Sequence, residues 1–278
     1  MALTRTAFAH YLMIPLIVGG LLFLYIGWEF DSKYAIWTAP FLVGLAIVYF
    51  LQAEINWYRY TRKPEDLPPP LAALLERYSP YYRRLNHEDR LRFRQRVGLF
   101  SMGTDWMPKG FPEDRLPQDV ELVIAAQAAS LTWRRKDFLF EKFEKIIVFP
   151  GPFPSEQHPF GHASELYEPD GCLLFSAEQI MMAFAEPRRW FNVALYEYAR
   201  AFMLNWPAEK LPEFAGQEAL LERISRMSMS AIEAVIGINA PDLNAVGICH
   251  YIVFEERFRE AAPELAAALD LVFKKDAA

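Results

Sequence analysis

Phe191-Asn192-Val193-Ala194-Leu195-Tyr196-Glu197-Tyr198-Ala199-Arg200-Ala201-Phe202 lies within a longer run, Trp190 to Leu204, that leaves little polar surface. A helix that is apolar all round is buried. Glu197 and Arg200 are then charges at i and i+3 on a buried element, a spacing at which they can pair. Unpaired burial of either would be costly. The run therefore predicts a core helix with an internal ion pair, in which Arg200 supplies the positive charge opposite Glu197.

Helical patterns dominate around it. Leu71 to Tyr78 is one, and Asn86 can cap a second through Phe100, with Leu91, Phe93, Val97 and Phe100 partly on one face. Val120 to Trp133 is apolar on most sides and reads as a buried helix. Lys145-Ile146-Ile147-Val148-Phe149-Pro150 is β-branched and ends in Pro-Gly-Pro, the mark of a strand, and Cys172-Leu173-Leu174-Phe175 follows a turn at Glu168-Pro169-Asp170-Gly171 as a second. Helices are expected over Glu218 to Ile236 and Asn244 to Glu260, with a short one to the end. The expected class is mainly α (α+β) with a small β-sheet.

The first sixty residues differ. No charged residue occurs from Tyr11 to Trp28 or from Tyr34 to Ala53, and each run is about the ~20 residues a helix needs to cross a bilayer. Glu29-Phe30-Asp31-Ser32-Lys33 joins them, so a transmembrane hairpin with helices at about 11–28 and 34–53 is expected. Trp28, Trp37, Trp57, Tyr58 and Tyr60 stand near the ends, where interfacial aromatic belts lie. A cleaved signal peptide is disfavoured because no A-x-A-like site follows the first run. Gly19, Gly20 and Gly44 would suit close helix contacts. Arg5 precedes the first run and Arg59, Arg62 and Lys63 follow the second, so the positive-inside rule puts both termini and the remainder in the cytoplasm. Pro64 to Pro70 is a stiff linker. The expected organisation is residues 1–60 as hairpin, 61–70 as linker and 71–278 as a cytoplasmic domain.

The 278 residues carry 29 basic and 35 acidic side chains, a net charge of −6, so no nucleic-acid footprint is expected. Two cysteines, Cys172 and Cys249, make no disulfide framework and suit a reducing compartment.

The central helix also has the layout of H-E-x-x-H, in which two histidines one turn apart bind zinc and the glutamate activates its water. Glu197 remains, while the histidine positions carry Tyr196 and Arg200. A phenol with a pKa near ~10 is a poor zinc ligand at neutral pH, and a protonated guanidinium is none. Glu197 as a metal-free general base would need a nucleophile and an oxyanion stabiliser, and none is visible. His158, His162 and Cys249-His250 would make a metal site only if three or four converged. Pro159 and Gly161 argue against a helix aligning the two histidines, and the plainer reading is a polar surface loop plus a buried thiol.

Several segments resemble the Mlc titration factor A family, the zinc-dependent, glucose-regulated peptidases of bacteria. They are Leu85-Asn86-His87-Glu88-Asp89-Arg90 with Phe93 and Val97, Val123 to Ala128, Ile146 to Pro150, and Val253-Phe254-Glu255-Glu256-Arg257-Phe258, similar to A-V-x-S-E-x-F-F. The most specific is Asn192 to Arg200, similar to N-V-x-x-H-E-F-A-H. The resemblance spans roughly Leu71 to Phe273 and implies a zincin-like, metallopeptidase-type domain. It puts the family's histidine ligands on Tyr196 and Arg200, its catalytic glutamate on Glu197 and its third ligand, a glutamate, on Cys249. All three ligands would then be replaced, leaving a vestigial Glu197, no catalytic residue, no zinc and no other cofactor.

The expectation is a pseudopeptidase in the bacterial inner membrane, two-pass, acting as a binding, scaffolding or accessory subunit with a protein partner in the membrane or at its cytoplasmic face. Two alternatives are an active membrane-tethered zinc peptidase with an atypical site and a cytoplasm-facing regulator that binds a transcription factor.

Overall fold

The computed structural model describes residues 8–274, and Arg5 lies outside the described residues. The chain divides into two units, Met1–Glu65 and Asp66–Ala278.

In the first unit, α1 (Phe8–Glu29) and α2 (Thr38–Phe50) are joined by a 3-10 turn, Ser32–Trp37, and α3 (Gln52–Arg62) follows. Two helical stretches, Phe8–Glu29 and Ser32–Phe50, are long and apolar enough to cross a membrane. Their large side chains point outward, among them Leu21, Leu22, Tyr25, Leu42, Val43 and Ile47. Such a patch far exceeds what a monomer keeps in water. Asp31 accepts a hydrogen bond from the Lys33 amide and starts the turn.

The expected second helix is interrupted at Leu51, and α3 carries the chain on to Arg62 with Glu54, Arg59 and Arg62 as its charges. The glycines serve contacts inside this unit: Gly19 lies under the Phe41 ring and Gly44 against Leu16. At Gly27 a Cβ would stand 2.8 Å from the Ala35 backbone nitrogen, which cannot swing aside. Gly27→Val is therefore expected to weaken this unit by about 1–3 kcal/mol, the usual cost of overpacking. Loss of helicity at lower SDS concentration than the parent checks it.

The second unit is mostly helical with one small sheet. It begins with α4 (Pro69–Tyr78), α5 (Pro80–Arg84) and α6 (His87–Met102), then β1 (Asp105–Pro108) and α7 (Gln118–Thr132). The linker is partly structured. Asp66 receives both branches of Arg94, at 2.6 and 2.7 Å, and Leu67 is buried. Asn86 caps α6 by accepting from the Asp89 amide at 2.8 Å.

Next come β2 (Lys145–Phe149), β3 (Ser164–Tyr167), β4 (Cys172–Ser176) and α8 (Ala177–Ala185). The strand order is β1-β2-β4-β3, with β1, β2 and β4 parallel and β3 antiparallel to β4, pairing Ser164 with Phe175 and Tyr167 with Cys172. β1 and β3 are four-residue strands whose composition carries no β-branched run, so they are visible only as partners of β2 and β4.

The remaining helices are α9 (Val193–Asn205), α10 (Glu218–Ser225), α11 (Met229–Ile236), α12 (Leu243–Val253), α13 (Glu255–Ala261) and α14 (Pro263–Phe273). Three expectations are corrected here. The central helix starts at Val193, because the Asn192 side chain caps it by accepting from the Leu195 amide, leaving Trp190 and Phe191 outside. The single helix expected over 218–236 is two, broken where Arg226 turns left-handed and Ser228 caps α11 through the Ala231 amide. The one expected over 244–260 begins earlier, capped by Asp242, and breaks at Phe254.

The core forms around α9, which packs on α7, α12 and β3. Tyr198 is fully buried there, its ring among those of Phe100, Phe140 and Phe175. Gly237 closes α11 at φ 84°, and a Cβ there would meet the His162 backbone at 2.7 Å. Only glycine allows both that conformation and that approach. The Ala163 amide donates to Ile236 O at 2.7 Å, which fixes the end of α11 beside β3.

Candidate functional site

One end of the site is a carboxylate that water does not reach. Glu197 on α9 is fully buried. Arg200 Nη1 donates to its Oε2 at 2.8 Å, and Ser164 Oγ on β3 donates to its Oε1 at 2.9 Å, so both oxygens are engaged by this chain. Burial pushes the Glu197 carboxyl up, opposed by the Arg200 charge and the Ser164 hydroxyl. Burial also acts against the charge on Arg200, but Glu197, Tyr196 and Asp242 outweigh it and the guanidinium stays charged. The Arg200 side chain is 32% exposed and carries this charge to the surface of a cavity.

That cavity has a volume of about 340 Å³ and is lined by Tyr196, Glu197, Arg200, Glu165, His158 and Asp242, among others. The Tyr196 hydroxyl accepts from the Asp242 amide at 2.9 Å, which ties α9 to the start of α12. Burial pushes its phenol well above the usual tyrosine range. Glu165 is buried too; its Oε2 lies 3.1 Å from His162 Nε2, and its Oε1 has no hydrogen-bond partner among the described residues.

Cys249 lies elsewhere. It is buried on α12, its thiol donates weakly to Asn192 O at 3.7 Å, and it does not line the cavity. Burial pushes that thiol far up. Its neighbour His250 is also buried and has neither ring nitrogen paired among the described residues. The structure thus brings Tyr196, Glu197 and Arg200 together and adds Ser164, Glu165 and Asp242. His158 and His162 come within 5.4 Å, ring centre to ring centre, without a helix. His162 is not on a surface loop as expected: it is buried, paired across a bridge with Phe153 and bonded to Phe160 O.

A model of the glucose-regulated metallo-peptidase M90 family matches residues 54–220. The chain belongs to that family. A protein of Synechocystis sp. described as uncharacterised is 25% identical over 169 residues, 56% of this chain and 61% of that protein. The chain thus spans about three fifths of the length of that relative. The match to the M90 family covers Tyr196, Glu197 and Arg200 and stops short of Cys249.

An M90 metallopeptidase implies a metal, and the residues present do not fit one. Among the described residues no group of three or more His, Cys, Asp or Glu side chains is placed to hold a metal ion. At the two positions next to Glu197 on the cavity side stand a phenol raised by burial and a guanidinium. A protonated guanidinium has no lone pair to offer and a neutral phenol is a poor zinc ligand at neutral pH, and each oxygen of Glu197 already accepts a hydrogen bond. Of the lining residues, Glu165 and Asp242 escaped sequence reasoning. Ser164-Glu165-Leu166-Tyr167 carries no strong strand signal, and the helix expected from Asn244 left Asp242 outside it.

Proposed function

We propose that this M90-family chain is a membrane-anchored, catalytically inactive pseudopeptidase that works as a binding, scaffolding or accessory subunit of a membrane protein complex. The observation that carries this reading is the closed Glu197 site. Each oxygen of this buried carboxylate accepts a hydrogen bond from within the chain, one from Arg200 and one from Ser164, and displacing Arg200 would leave a buried charge uncompensated. The two apolar helices of spanning length support anchorage. Arg59, Arg62 and Lys63 after the second helix support a cytoplasmic second unit.

In this reading Tyr196, Arg200 and Cys249 occupy the positions of lost metal ligands, and Glu197 is a structural remnant. The 340 Å³ cavity beside Tyr196, Glu197 and Arg200 is kept as a contact surface. The test is metal content together with peptidase activity of the full chain purified in detergent after growth with zinc. The expected result is far less than one zinc per chain and no chelator-sensitive cleavage. Stoichiometric zinc with chelator-sensitive cleavage would overturn the reading in favour of a working tethered peptidase. The Tyr196→His, Arg200→His, Cys249→Glu variant tests the ligand positions: a folded variant that binds no zinc removes the assignment of Cys249.

A further inference from the structure

A second cavity, of about 240 Å³, lies between α5, the segment after α8 and the junction of α12 with α13. It shares no lining residue with the Glu197 cavity. Four arginines line it, Arg83, Arg84, Arg188 and Arg257, against two glutamates, Glu255 and Glu256. In a chain with net charge −6 this is a local reversal of sign.

The arginines are held in different ways. Arg84 donates to Ile252 O at 2.6 Å and pairs with Glu255 at 2.9 Å. Arg83 Nη1 is anchored on Arg77 O, and Arg257 Nη1 on Ile224 O with its guanidinium 5.6 Å from the Phe254 ring centre. Each anchor uses one branch and leaves further N–H donors on the fork. Arg188 is exposed and makes no hydrogen bond or ion pair among the described residues. Glu255 does not neutralise this set by itself, since it is shared between Arg84, Arg259 and Lys274.

Guanidinium forks match the oxygens of phosphate, and several around one recess hold it better than a point charge would. The volume is below the ~300–1,000 Å³ of sites for drug-sized molecules, so a small anionic group is a better fit than a bulky ligand. We infer that this recess binds a phosphate group, with Arg188 as the free donor and Arg83 and Arg257 as its flanks. This goes beyond the proposed function and depends neither on metal nor on Glu197. The phosphate could be carried by a soluble compound or by the headgroup of an anionic lipid, and both present the same oxygens.

The test uses the full chain. In zwitterionic detergent, pyrophosphate is titrated by calorimetry. In parallel, the thermal stability of the chain is compared in nanodiscs of phosphatidylcholine with and without phosphatidylglycerol. Arg188→Glu is the probe variant, because that exposed and unpaired side chain can be reversed without breaking the fold; an unchanged melting temperature without ligand checks this. Arg92→Glu, an equal charge change on α6 outside the recess, is the control. Pyrophosphate binding weakened about tenfold or more by Arg188→Glu, and not by Arg92→Glu, supports a soluble phosphate. A stabilisation seen only with phosphatidylglycerol, and removed only by Arg188→Glu, supports a lipid headgroup. No binding in either arm, or equal effects of the two variants, overturns the inference.

Discussion

Arg200→Ala is expected to destabilise the second unit by about 3 kcal/mol, the largest effect of any single surface-reaching side chain at the α9 site. Removing one partner of a buried ion pair typically costs ~3–5 kcal/mol, because the other charge stays buried without compensation. Glu197 is fully buried and keeps only the Ser164 hydroxyl in this variant. The partial exposure of Arg200 puts the expectation at the lower end of that range. Denaturant unfolding followed by tryptophan fluorescence measures it. The double variant Glu197→Gln, Arg200→Ala should recover a large part of the loss, since a neutral amide can still accept from Ser164. Additive single effects would show that the pair is not what stabilises the helix.

Acidification below pH 6.5 is expected to remove about 2 kcal/mol of stability by pH 5 through His250 alone. Burial lowers the His250 pKa from 6.5 to about 3, and no charged partner offsets that burial. The rings beside it are Phe191 and Phe254. Between pH 3 and 6.5 the unfolded chain binds a proton that the folded chain refuses. Stability therefore rises with pH across this window and is complete above 6.5. Each pH unit is worth ~1.36 kcal/mol. Glu197 acts in the opposite sense, because its carboxyl is raised and takes up a proton more readily when folded. The difference between the parent and His250→Leu isolates the histidine: the variant should lose the downward slope from pH 6.5 to 5. An unchanged slope in the variant would assign the acid sensitivity to another group.

These two sites show what local pattern can and cannot carry. The apolar surround of Glu197 and Arg200 and their i,i+3 spacing are properties of one helix, so burial and pairing could be read from the sequence. The Ser164 bond that completes the site joins residues 33 apart, and the Asp242 amide meets the Tyr196 hydroxyl across 46. No periodicity encodes such meetings. The helix breaks at Arg226 and Phe254 escaped because helical composition continues through both, while the chain turns left-handed at Arg226 ahead of the Ser228 cap and leaves helical geometry at Phe254.

The Arg83–Arg188–Arg257 recess was invisible for the same reason, being assembled from three segments far apart in the sequence.

From composition and spacing alone came the two apolar runs of spanning length, the buried α9 with its ion pair, and the strands β2 and β4. These are short-range properties, set by backbone period and side-chain polarity. Folding alone decided that β1 and β3 complete the sheet and that Ser164 and Arg200 close Glu197. It also placed Asp242 rather than Cys249 on the cavity wall and gathered the guanidinia at a second site. Each of these depends on which surfaces bury best against one another, and that is a property of the packed chain as a whole.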